Sequence, residues 1–118
     1  MNISKIAYWV STALVCFLMG FSGFNDITHN PDFVGGMKHL GYPEYMMDIL
    51  GIAKMAAVII LLIPFRGRLK EWAYAGVMID LIGAEWSHIA SGDGFQPIPM
   101  VALVLTLVSN FYYNRQDD

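Results

Sequence analysis

Residues 72–90 read WAYAGVMIDLIGAEWSHIA, a stretch that is mostly apolar and long enough to cross a bilayer as one helix. Asp80 lies near its middle, where a carboxylate in hydrocarbon costs about 2.5–3.5 kcal/mol on insertion scales. The stretch therefore predicts a membrane-spanning helix whose carboxylate points toward neighbouring helices and away from lipid.

Three more apolar segments accompany this stretch. Residues 6–24 and 94–114 carry no charged side chain, and residues 45–65 carry Asp48 and Lys54. A cleaved signal peptide is the alternative interpretation of the first segment, but its apolar core would be shorter, about 7–15 residues. The polar residues between the first two segments are expected to include a short helix or a re-entrant piece.

These segments predict an all-α fold, an integral membrane four-helix bundle with antiparallel up-down topology. A soluble helical bundle is the alternative, and it would need more polar surface on the first and last segments. We expect one transmembrane domain over residues 1–118, with helices at about 5–24, 45–64, 71–91 and 97–114 and a long outer loop at 25–44.

Composition excludes several classes of protein. Hydrophobic residues make up 56% of the chain and charged residues 14%, against about 25% charged in an average soluble domain. A formal charge of −3 without a basic stripe indicates no nucleic-acid partner. The single cysteine, Cys16, cannot form a disulfide within one chain.

The basic residues predict the orientation. If both termini are cytoplasmic, one basic residue, Lys38, lies outside, and five lie inside: Lys5, Arg66, Arg68, Lys70 and Arg115. This asymmetry is typical of the positive-inside rule. We therefore predict a multi-pass protein of a bacterial cytoplasmic (inner) membrane.

Lys54 is the predicted partner of Asp80. At 1.5 Å of helix per residue, Lys54 lies about 15 Å from the cytoplasmic membrane face and Asp80 lies about 12 Å from the same face. Adjacent antiparallel helices would bring the opposite charges together as an intramembrane ion pair. Two roles remain open for the pair: a structural one that fixes helix register, or a functional one as a proton relay or ligand anchor.

A polar cluster is predicted nearer the outer face, where the 25–44 loop should fold back and close a cavity above Lys54 and Asp80. Glu85 lies about 140° around the helix from Asp80, so it is expected to face a neighbouring subunit or the headgroups. His88, at about 80°, is the better pocket residue. No metal motif is present, so no metal site is predicted. The candidate pocket residues are Ser87, His88, Asn25, Asp26, His29 and Glu85.

The runs LGYPEYMMDILGIAKMAAVIILLIP (40–64) and RLKEWAYAGVMIDLIGAEWSHIASGD (68–93) resemble the DoxX-like family of four-helix bacterial membrane proteins. One member of that family is similar to a subunit of a thiosulfate:quinone oxidoreductase, and others resemble assembly factors for membrane receptors. Asn25 stands where many relatives have Lys. The resemblance assigns these positions to the family motif: Gly51, Lys54, Glu71, Asp80, Gly83, Ser87 and His88.

The leading hypothesis for function is a quinone-interacting or redox-associated membrane subunit without catalytic activity of its own. No cofactor is assigned, and quinone is the candidate. The lipid bilayer is the expected partner, and the candidate protein partners are a membrane or redox protein and a further copy of the chain. The alternatives are a proton-coupled small-molecule carrier and a non-catalytic membrane assembly or binding module.

Overall fold

The computed structural model describes residues 3–63 and 67–113. Within these ranges the chain forms five α-helices and no strand. The helices are α1 (Ile3–Ile27), α2 (Pro31–Leu40), α3 (Tyr45–Leu62), α4 (Arg68–Ala90) and α5 (Pro97–Tyr113). The predicted helix ends at 64 and 114, the two chain termini and the basic residues Arg66 and Arg115 lie outside the described residues.

Polar side chains extend α1 one turn beyond the predicted end at residue 24. The Asn25 side-chain amide donates to the Phe21 carbonyl at 2.8 Å, and the Thr28 hydroxyl donates to the Phe24 carbonyl at 2.9 Å. The last turn of a helix has carbonyls without intrahelical partners. The Phe24 carbonyl is one of these, and it accepts both the hydroxyl and the amide of Thr28, whereas the Phe21 carbonyl lies a turn earlier in the helix.

The 25–44 segment contains a helix with clear start and stop signals. The Asn30 side chain accepts from the Asp32 amide at 3.0 Å, and Pro31 occupies the first turn. Gly41 ends α2 with φ 87°, and its amide donates to the Lys38 carbonyl at 3.0 Å. Glycine reaches this left-handed conformation without the steric cost of a Cβ. Local sequence therefore suffices to make α2 a separate helix.

The other four helices contact one another in a closed series. α1 packs against α3 and α5, and α4 packs against the same two helices. The core between them includes Val15, Met19, Val77 and Leu81, which are all buried. α2 packs against α1 and has no buried residue of its own.

Two of the described helices, α1 and α3, are long and apolar enough to cross a membrane. Many large apolar side chains point outward, and this is the surface expected where lipid replaces water. They include Phe17, Phe21, Ile52, Ile59, Ile79, Trp86 and Val104.

Glycines on different helices serve opposite purposes. A Cβ on Gly51 would lie 2.6 Å from the Ile27 side chain and 3.0 Å from its backbone nitrogen, so this glycine permits close contact between α1 and α3. Gly76 and Gly83 of α4 differ from Gly51, because a Cβ at either position would meet no atom within 4 Å. These glycines leave space beside α4.

Candidate functional site

Lys54 is held by two residues of α1. Its Nζ donates to the Asp26 carboxylate at 2.9 Å and to the Ser22 hydroxyl at 2.8 Å. The Lys54 and Asp26 side chains are only 12% and 4% exposed. Ser22 and Asp26 are four residues apart, so they project from one face of α1. Ser22 is not among the site residues predicted from the sequence, although its four-residue spacing from Asp26 places both on one helix face.

Asp80 has a different environment from the one predicted. Within residues 3–63 and 67–113 no ion pair joins it to Lys54, because Asp26 takes the place of the direct partner. Asp80 does lie within electrostatic range of both Lys54 and Asp26. The predicted direct pair is thus replaced by a triad of one cation and two carboxylates, and contact through water stays a prediction.

Lys54 and Asp80 line three adjoining cavities. The first, of about 450 Å³, lies between α3 and α4, and Trp72, Gly76 and Ile79 border it. The second, of about 450 Å³, lies between α1, α4 and α5 beside Phe17 and Ala102. The third, of about 430 Å³, lies beneath α2. The two charged side chains therefore stand where the three spaces meet.

The cavity beneath α2 is the one that the sequence predicts above Lys54 and Asp80. Ser87 and His88 of α4 line it with Gly83. The Tyr42 hydroxyl, just beyond α2, hydrogen-bonds to the Ser87 hydroxyl across this space. α2 contributes the roof through Asp32, Phe33, Gly36, Met37 and Leu40.

Three of the proposed pocket residues, Asn25, His29 and Glu85, do not line this cavity. Asn25 is buried and bonds to its own helix and to Asn30. His29 lies at the surface between Glu44 and Asp48. Asn25 and His29 do not reach the cavity because their side chains bond to groups around the end of α1. Asp26, Ser87 and His88 do face the cavity.

Glu85 is buried, not directed at headgroups or a neighbouring subunit as expected. It is 8% exposed, and its Oε1 accepts the Gln96 amide at 2.7 Å. Gln96 directly precedes α5, so the carboxylate satisfies an amide at the start of that helix. The geometry makes Glu85 a link between α4 and α5. Its Oε2 is buried and has no hydrogen-bond partner among the described residues.

A second polar cluster lies at the other end of α4, around Lys70. The Lys70 side chain, 1% exposed, donates to the Ile63 carbonyl at 2.6 Å and to the Tyr8 hydroxyl at 3.3 Å. Further along, Ser109 bonds to both Tyr74 and Thr12, at 2.7 and 2.6 Å. Buried Val15 and Val77 lie along α1 and α4 between this cluster and the Lys54 site. Glu71, a residue of the family motif, is exposed on the same turn of α4.

Comparison with known proteins adds the family. The sequence model of the DoxX-like family matches residues 10–110, which include all five helices in whole or in part. No curated protein and no solved structure matched the chain. With its apolar helices and the match over most of its length, the chain is a small membrane protein that belongs to the DoxX-like family.

Proposed function

We propose that α1, α3, α4 and α5 form an antiparallel four-helix bundle that crosses a bacterial cytoplasmic membrane, with α2 on the outer face. The positive-inside asymmetry supports this orientation. The closed series of helix contacts supports the bundle. Under this arrangement the Lys54 site lies within the membrane and beneath α2.

In this setting the protein binds a small amphipathic molecule of the quinone type and presents it to a redox partner. The observation that carries this proposal is the meeting at Lys54 and Asp80 of two apolar-walled cavities with the more polar cavity beneath α2. Small-molecule sites are mostly apolar spaces with a few well-placed polar groups. A bound quinone would supply the two-electron chemistry, and the electrons would come from the partner.

The polar groups fit a head that both accepts and donates hydrogen bonds. A lysine ammonium has three N–H donors, and Lys54 directs two of them to Asp26 and Ser22. The remaining donor suits a carbonyl oxygen. Asp80 makes no hydrogen bond in the described part of the chain, and its carboxylate suits a hydroxyl. Ser22 and Asp26 are positioning residues, because they hold the Lys54 ammonium beside the cavity.

The space between α3 and α4 fits an apolar tail. It runs along α4 from Asp80 to Leu69, eleven residues or about 16 Å of helix. Its walls include Ala53, Ala57 and Gly76, and the exposed ring of Trp72 lies at its border. A tail placed here would leave the site sideways, toward lipid.

The test is titration of the full chain in lipid nanodiscs with a short-tailed benzoquinol, the reduced form whose hydroxyls can donate to Asp80, monitored by quenching of tryptophan fluorescence. Asp80→Asn is the sharpest variant, because it keeps the shape of the side chain and breaks no hydrogen bond in the described structure. We expect binding to weaken at least about tenfold, since a hydrogen bond to a charged group is worth about 1.5–3 kcal/mol.

Two further variants make the titration specific. Trp72→Phe should remove most of the quenching, since Trp72 borders the tail space and the other tryptophans, Trp9 and Trp86, do not line it. Glu71→Gln is the matched control, because this exposed carboxylate lies outside all three cavities. Equal affinity in wild type and Asp80→Asn would overturn the proposal.

A proton-coupled carrier is the second candidate, and the observation that favours it is the carboxylate of Asp80, which lines a cavity and makes no hydrogen bond or ion pair among residues 3–63 and 67–113. Intramembrane carboxylates of this kind occur in proton relays. In the test, the solution outside proteoliposomes that contain a pH-sensitive dye is acidified, and the dye reports the internal pH. Faster internal acidification in wild type than in Asp80→Asn would favour the carrier, and equal rates would exclude proton movement through Asp80.

A further inference from the structure

α2 is attached to the rest of the molecule mainly at its two ends. It has no buried residue, and its ring contact to α1, between Phe33 and Phe21, has a centroid distance of 6.5 Å. His29, two residues before it, and Gly41, directly after it, both have positive φ, 52° and 87°. A short helix between two such turns can change its orientation by rotation at a few backbone dihedrals. α2 therefore covers the cavity as a lid that is attached mainly at its two ends.

Histidine–carboxylate contacts hold both ends of this lid. At the first end, His29 Nδ1 lies 2.8 Å from Glu44 Oε2, and His29 Nε2 lies 2.8 Å from Asp48 Oδ1. At the other end, His39 Nε2 lies 2.7 Å from Asp93 Oδ1. All three histidines of the chain take part, because His88 Nδ1 contacts the other Asp93 oxygen at 2.9 Å.

The contacts at the two ends differ in the protonation state of the histidine ring that they require. A neutral imidazole carries one N–H, and its other nitrogen is an acceptor. His29 faces an ionised carboxylate at each nitrogen, so both contacts are hydrogen bonds only when the ring is protonated. His39 and His88 each face Asp93 with one nitrogen, and a neutral tautomer can make either bond. His29 is therefore the proton-dependent clamp.

We propose that α2 is a pH-gated lid, clamped over the Lys54–Asp80 cavity while His29 is protonated and released when His29 loses its proton. The contacts around α2 alone support the presence of a lid. Its role in admitting a ligand rests on the function proposed above. Within the described residues, the charged groups in contact with His29 are Glu44 and Asp48, and those at the far end are His39, His88 and Asp93.

The direction of the pH effect follows from the titration of these groups. The hydrogen bond to Asp48, and then that to Glu44, raises the pKa of His29. A raised pKa means that the clamp is complete below the usual histidine value of about 6.5 and is lost as pH rises through the higher folded value. Hydrogen bonds from His88 and His39 lower the pKa of Asp93. That contact persists above about pH 3.9 and is lost as pH falls through the lowered value.

The experiment measures the lid without any ligand, in the full chain in nanodiscs. Spin labels at Lys38→Cys on α2 and Ile3→Cys on α1, in a Cys16→Ala background, report one distance by double electron–electron resonance. Both labelled positions are exposed. We expect one narrow distance at about pH 5.5 and loss of that single distance at about pH 9, on either side of the histidine titration. An unchanged distribution would overturn the lid.

Two variants identify the clamp. His29→Asn keeps a residue that tolerates positive φ, and it should give the broad distribution at both pH values. His88→Asn is the matched histidine control, and it should keep the pH response because the His29 contacts remain. Loss of the response in His88→Asn with its retention in His29→Asn would assign the switch elsewhere. Since no quinone is present, failure here leaves the proposed binding function standing, and failure of quinone binding leaves the lid testable.

Discussion

At the residue scale, the site depends on one cation shared between two carboxylates. Lys54 contacts Asp26 directly, and Asp80 lies within electrostatic range of the pair. Removing charges from water is costly, and a buried pair repays that cost only when both partners are present. Lys54 is therefore the residue on which the local arrangement depends most.

Lys54→Met should destabilise the protein by about 3–5 kcal/mol, because it leaves Asp26 buried without its cation. The measurement is chemical denaturation in detergent, followed by helical circular dichroism. Lys38→Met removes the same type of charge from an exposed position on α2 and is the matched control. Adding Asp26→Asn to Lys54→Met should recover part of the lost stability. A double variant less stable than Lys54→Met would contradict this electrostatic reason.

At the element scale, the contact between α1 and α3 brings Asp26 to Lys54. Gly51 and Gly23 allow this approach: a Cβ on Gly23 would lie 3.0 Å from Lys54 Cβ. Helices in lipid associate through small residues that let their backbones approach closely. The α1–α3 interface therefore sets the Lys54–Asp26 distance.

Gly51→Ala should destabilise the protein by about 1–3 kcal/mol, because overpacking a close contact forces backbone shifts. The nearest atoms include the Ile27 backbone nitrogen at 3.0 Å, which cannot rotate away as a side chain can. Gly76→Ala is the control on α4, where a Cβ meets nothing within 4 Å. It should stabilise the protein by about 0.5–1 kcal/mol through helix propensity. Similar melting shifts for both variants would refute this distinction.

At the scale of the whole molecule, the proposed orientation places α2 and the 91–96 loop outside and the Lys70 cluster inside. Asp93 joins that loop to His39 of α2. Both segments must therefore lie on the same side of the membrane. The two possible orientations therefore place α2 and the 91–96 loop either both outside or both inside.

Cysteine labelling decides that choice. In a Cys16→Ala background, a membrane-impermeant maleimide applied to intact cells should label Phe95→Cys and leave Arg68→Cys unlabelled. Both positions are exposed, so accessibility within the protein does not limit the reaction. Disrupted cells should show labelling of both. Labelling of Arg68→Cys alone in intact cells would reverse the orientation.

Local sequence signals were enough to predict the helices and to identify the family. Apolar segments predicted the helices, and the helix inside the 25–44 segment follows from Asn30, Pro31 and Gly41, which act on their own backbone. Local signals of this kind need no tertiary context. The motif runs identified the DoxX-like family, which the match over residues 10–110 confirmed.

The partners of the charged side chains depend on how the helices pack, which the sequence does not show. Depth along a helix can be counted from sequence, and it placed Lys54 near Asp80. Which of two nearby carboxylates receives the ammonium depends on how closely the helices approach, and Gly51 brings α1 within reach of α3. The same packing buries Glu85 beside Gln96 and leaves open space at Gly76 and Gly83. Sequence periodicity gives the direction of a side chain, whereas the distances between helices decide what it meets.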